Sequence, residues 1–179
     1  MLRIILTYGL ISGVVIILGT LASIFLTGGH HSSVWLGYLI MLVGLSSILV
    51  AVKQYRDQTL GGVIKFTTAL GIGLGIALAA TLAYVLVWEA YLAVTHYTFM
   101  DQYISATLAA KRAAGVTGAA YAKAVQETEA MRALYANPLL RMAMTAAEIL
   151  PVGLLVALVT AVLVRNAKFL PARSRPAAA

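Results

Sequence analysis

The stretch FTTALGIGLGIALAATLAYVLVWEAYL, residues 66–92, carries a single charged residue, Glu89. At about 1.5 Å of rise per residue, a helix of this length crosses the roughly 30 Å hydrocarbon core of a bilayer. It is apolar on every side and not along one stripe, the pattern of a helix that faces lipid or lies inside a bundle. Three further segments meet the same test: residues 4–27, 34–52 and 139–164. The whole chain agrees with them. Of its 179 residues, 61% are hydrophobic and 11% charged, and the mean hydropathy is +0.92. A soluble domain has about 45–50% apolar and roughly 25% charged residues. The expected fold is therefore an all-α membrane protein, with four transmembrane helices forming one domain over residues 1–170. The first apolar run is longer than the roughly 7–15 residues of a signal-peptide core, so it reads as a retained helix.

Basic residues orient the spans. Lys53, Arg56 and Lys65 crowd the connection between spans two and three. Arg165, Lys168, Arg173 and Arg175 come after span four, and Arg3 precedes span one. Residues 28–33 contain no Lys or Arg. The positive-inside rule then makes both termini cytoplasmic and places residues 93–137 on the outer side. The net charge of +7 fits this topology and anionic lipid; no nucleic-acid partner is implied. Residues 171–179 read as a disordered basic tail.

The outer segment is too polar to span a membrane. Phe99, Met100, Tyr103, Ile104 and Leu108 share one helical half, while Asp101, Gln102, Ser105 and Arg112 share the other. Gly115 and Gly118 interrupt the pattern, and Thr117 is placed to cap the next helix. That second helix, over about 118–136, carries Lys123 and Glu127 as an i,i+4 pair, with a loose apolar stripe of Tyr121, Val125, Met131 and Tyr135 that Arg132 interrupts. The expectation is an amphipathic helical hairpin. Asn137 and Pro138 then supply an N-cap and a first helical residue for span four.

In lipid, helices associate where small residues let backbones approach. Span three carries Gly71, Gly75, Ala79 and Ala83 at four-residue spacing, and span one carries Gly9 and Gly13. These residues are expected to pack against each other, with a homodimer seam as the alternative.

Ionisable groups inside a span are costly and usually paired or functional. Lys65 to Glu89 and Arg141 to Arg165 are both separated by 24 residues. In antiparallel neighbours, Glu89 and Arg141 therefore sit at one level, with Trp88 and Tyr91 as an aromatic belt beside them. Glu148, seven residues beyond Arg141, is expected on the same face, with Tyr84 at similar depth. The candidate site is thus an intramembrane network of Glu89, Arg141, Glu148 and Tyr84. His30, His31 and His96 all fall on the outer side, but their spacing matches no strong metal motif. The chain has no cysteine and no HExxH, GxSxG or Walker pattern. No metal, cofactor or catalytic residue is expected.

Several segments together resemble one bacterial membrane family: LTYGLISG at 6–13, AVKQYRDQTLGG at 51–62, WEAYL at 88–92, NPLLR at 137–141 and MTAAEILPVGLL at 144–155. Their order and spacing resemble the family known as domain of unknown function 4199. The resemblance implies a small multi-spanning protein without assigned activity. It matches Tyr55, Arg56, Asp57, Gly61, Gly62, Glu89, Glu148 and Pro151. Tyr55, Arg56 and Asp57 with Gly61 and Gly62 read as a cytoplasmic turn, carrying topology charge or serving as a docking point for a partner. The functional expectation is a non-enzymatic membrane protein that binds itself or other membrane components. A small oligomeric proton- or cation-coupled transporter using Glu148 and Glu89 is the alternative, and an outer-face metal-dependent protein a further one.

Overall fold

The computed structural model describes residues 1–26 and 34–171. It contains helices α1 (Leu2–Leu26), α2 (Val34–Leu45), α3 (Ser47–Thr59), α4 (Phe66–Val94), α5 (Phe99–Ala113), α6 (Gly118–Ala136) and α7 (Pro138–Val164). Among the described residues no strand forms. Four segments are long and apolar enough to cross a membrane: α1, α2 with α3, α4, and α7. His30 and His31 lie outside the described residues, as does the tail from residue 172 on.

Helix α4 is the spine. It packs along α1 on one side and α7 on the other, and α2 with α3 closes the bundle against α1 and α7. The α1–α4 contact is made by the small residues expected to make it. A Cβ at Gly9 would overlap that of Ala79, and one at Gly13 would lie 2.8 Å from that of Ala83. Gly75 faces Ile5 in the same way. Residue numbers rise together along both helices, so α1 and α4 run parallel. The predicted stripe is one residue too long, because Gly71 has nothing within 4 Å of its Cβ position. In this register its partner would be residue 1, where α1 has not yet begun.

The α4–α7 seam uses a second set of small residues. A Cβ at Gly73 would sit 2.9 Å from that of Ala157, and one at Gly153 would sit 2.8 Å from that of Ala77. Numbers fall on α7 as they rise on α4, so this pair is antiparallel. Both helices show the small–xxx–small spacing that permits close approach in lipid.

Span two departs from the expected single helix. It breaks at Ser46, whose hydroxyl donates to the Val43 carbonyl at 2.6 Å. The next hydroxyl, Ser47, bonds Ser12 of α1. Short polar side chains that bond backbone in this way interrupt helices. Beyond the break, α3 runs past the expected end at residue 52 to Thr59. Lys53, Tyr55, Arg56 and Asp57 are therefore helical and not part of the turn. The turn itself begins at Leu60, with Gly61 and Gly62 at φ of 68° and 97°, a region that favours glycine.

The hairpin forms as α5 and α6, packed on each other, with α6 also reaching α7. Met100, Ile104, Ala124 and Thr128 are its buried residues. Thr117 occupies the N-cap position of α6 but its side chain makes no capping bond. Asn137 does cap α7: its Oδ1 accepts from the Leu139 and Leu140 amides, with Pro138 in the first turn.

Candidate functional site at the hairpin end of the bundle

Helices α4 and α7 bring Glu89 and Arg141 together in the same register as their small-residue seam. Twelve residues up α4 from Ala77 is Glu89, and twelve residues back along α7 from Gly153 is Arg141. The pair is bidentate, with Nε to Oε1 at 2.8 Å and Nη2 to Oε2 at 2.6 Å. The Arg141 side chain is 6% exposed and that of Glu89 14%. The remaining guanidinium nitrogen donates to the Tyr135 carbonyl at 3.1 Å. The guanidinium also lies over the Tyr97 ring at 4.9 Å and the Tyr135 ring at 5.7 Å. All three nitrogens of the buried cation thus have partners.

Aromatic side chains fasten the hairpin to this pair. The Trp88 indole N–H donates to the Tyr135 hydroxyl at 2.9 Å. Its ring stacks on Tyr91 and meets Phe99 edge-on. Burial pushes the Tyr135 hydroxyl above its ordinary value of 10.0, against the opposing pull of the Trp88 hydrogen bond and Arg141. The phenol therefore stays neutral near pH 7. Tyr97 is aimed over Arg141 by an unusual turn between α4 and α5, where His96 and Tyr97 have φ of 52° and 55°.

Glu148 does not join this network. It is exposed and makes no ion pair among the described residues. The expected same-face placement assumed a seven-residue repeat. The buried row of α7 instead steps by four, through Arg141, Thr145, Ile149, Gly153, Ala157 and Ala161. Each such step turns the contact face by about 40°, which leaves Glu148 roughly 100° from Ile149 and off the seam. Tyr84 is buried, stacks on Trp88, and lies beside Thr20 of α1 within electrostatic reach of Glu148. The expected four-residue network is thus one tight pair, with Glu148 and Tyr84 beside it.

A cavity of about 330 Å³ opens where the hairpin meets α7, lined by Tyr97, Asp101, Arg132, Tyr135, Pro138 and Arg141, among others. Arg132 pairs with Asp101 at 3.2 Å and Glu129 at 3.4 Å. Sequence reasoning missed this cavity. The one available signal was Arg132, a cation that interrupts the apolar stripe of α6. Among the described residues, no group of three His, Asp or Glu side chains could hold a metal ion. Both Glu89 oxygens are taken by Arg141.

At the opposite end, Arg56 is fully buried, which removes it as an exposed docking point. Its guanidinium donates to the carbonyls of Val164, Phe169 and Leu170, closing the C-terminal end of α7 onto α3. Its Nε bonds Asp57 at 2.7 Å, and Asp57 also pairs with Lys53.

The fold and these sites define a multi-pass membrane protein: four membrane-length helices with a helical hairpin clamped on one end. A family model covers residues 7–166, and the chain belongs to that family, the proteins of unknown function grouped as domain of unknown function 4199. Comparison with curated proteins and with solved structures returned no match.

Proposed function

We propose that this protein is a non-enzymatic component of a bacterial inner membrane, with both termini cytoplasmic, that acts by binding itself or other membrane components through its hairpin. The observation that carries this reading is where the polar groups are spent. Glu89 with Arg141, Arg56 with the end of α7, and Tyr8 with Gln54 at 2.6 Å all fasten the bundle internally. The hairpin, by contrast, presents Tyr103, Met131 and Leu134 on its surface. The chain contains no cysteine, so single-cysteine reporters are clean. Cysteine at position 103 or 131, with a photo-crosslinking maleimide in native membranes, should trap discrete adducts that a reporter at position 61 does not. An impermeant maleimide should label position 116 and spare position 61 in intact cells. Labelling of position 61 alone would reverse the topology, and no adducts from either hairpin position would remove the binding role.

One observation favours a second reading, a proton- or cation-coupled transporter. Glu148 is a carboxylate within a membrane-length helix that pairs with no cation among the described residues. Proteoliposomes that dissipate an imposed pH gradient with wild-type protein, and not with Glu148→Gln, would establish transport over the binding role.

A further inference from the structure

We infer that the cavity between the hairpin and α7 seats the headgroup of a zwitterionic phospholipid, a phosphate diester that carries a primary amine. The site lies at headgroup depth. Pro138 opens the membrane-length helix α7, and Arg141 lies in its first turn. Its volume of about 330 Å³ is at the small end for ligand sites, enough for a headgroup and not for acyl chains.

The charges select the ligand. Arg141 forms part of the wall, but Glu89 neutralises it and two tyrosine rings cover it. The accessible charges are Arg132 and Asp101, with side chains 44% and 67% exposed, and Glu129 beside Arg132. An anionic headgroup would gain Arg132 but meet two carboxylates. A zwitterion places its phosphate on Arg132 and its ammonium on Asp101, so both rim charges are used. The exposed Arg132–Asp101 pair adds little to stability, and opening it to admit the ligand costs little. Tyr97 and Pro138 supply an apolar wall against which the glycerol carbons can lie. The inference is independent of the hairpin–partner role, because its readout needs no second protein.

The test is native mass spectrometry of the full chain in mild detergent, with equal amounts of phosphatidylethanolamine and phosphatidylglycerol of matched acyl chains. Wild-type protein should retain the ethanolamine lipid about two- to fivefold over the glycerol lipid, as expected for one exposed ion pair on Asp101. Asp101→Asn should erase that ratio, while Arg132→Gln should lower both lipids together. Both residues are exposed, and unchanged Trp88 fluorescence, read with Trp35 replaced by Phe, verifies that the variants fold. Equal retention of the two lipids, or a ratio unchanged in Asp101→Asn, would overturn the proposal. Soluble glycerophosphoethanolamine should give no adduct at the same concentration. An Asp101-dependent adduct from it would overturn the assignment to lipid.

Discussion

Replacing Glu89 with Gln leaves the Arg141 guanidinium in place, 6% exposed, with one carbonyl and two aromatic faces but no counter-charge. An ion pair in water is worth about 0–1 kcal/mol, whereas removing one partner of a buried pair costs about 3–5 kcal/mol. The burial of both side chains places this pair in the second regime, so Glu89→Gln should destabilise the bundle by about 3–5 kcal/mol. Arg141→Met strands Glu89 and should cost a similar amount. The double variant Glu89→Met with Arg141→Met removes both charges and fills the space, so it should lose only about 1–2 kcal/mol, mostly through the Tyr135 carbonyl. The singles are therefore strongly non-additive, by about 3 kcal/mol or more. The assay is titration of detergent-solubilised protein with a denaturing detergent, read by Trp88 fluorescence. The other tryptophan, Trp35, is 82% exposed and is replaced by Phe to leave one reporter. A Glu89→Gln cost below about 1 kcal/mol, or additive single variants, would refute the reasoning, because either result puts the pair in water.

Two other perturbations test the frame around that pair. Gly73→Ala and Gly153→Ala each place a methyl against a facing alanine and should cost about 1–3 kcal/mol in the same titration. Gly71→Ala, on the open side of α4, should be neutral or stabilising by up to about 1 kcal/mol through helix propensity. Arg56→Gln should cost about 3 kcal/mol, because it unpairs the buried Val164 carbonyl at the end of α7 and the part-buried Phe169 and Leu170 carbonyls beyond it, and it should open residues 165–170 to limited proteolysis. Arg56→Lys should rescue little, since one ammonium cannot reach the carbonyls that the forked guanidinium spans.

The Glu89–Arg141 contact was legible in the sequence. Both residues lie 24 positions from a basic anchor, and helices of equal rise put them at one level. The Gly9/Gly13 contact with Ala79 and Ala83 was legible for a similar reason, since close approach in lipid requires small residues at matching intervals. The seam of Gly73 and Ala77 against Gly153 and Ala157 was equally present in the pattern. A helix with small residues on two faces does not announce which neighbour takes which face. Arg56 shows the converse limit. A charge beside a turn normally carries topology, and only the return of residues 164–170 beneath α3 turns it into a buried staple.

Chain chemistry alone sufficed for the number and apolarity of the spans, the presence of a helical hairpin and the Asn137 cap, because each depends on neighbours within a few residues or on transfer from water to lipid. It missed the break and the longer reach of span two, and the buried face of α6 is Ala124 and Thr128, not the expected stripe. Crossing geometry decided the rest. The seam on α7 advances by four residues and not seven, so Glu148 rotates out of the pair it was expected to join. The hairpin folds back so that Tyr97, Arg132 and Asp101 meet around one cavity. Side chains far apart in sequence acquire a shared environment only when helices choose a packing angle, and that choice is a property of whole surfaces that no local pattern contains.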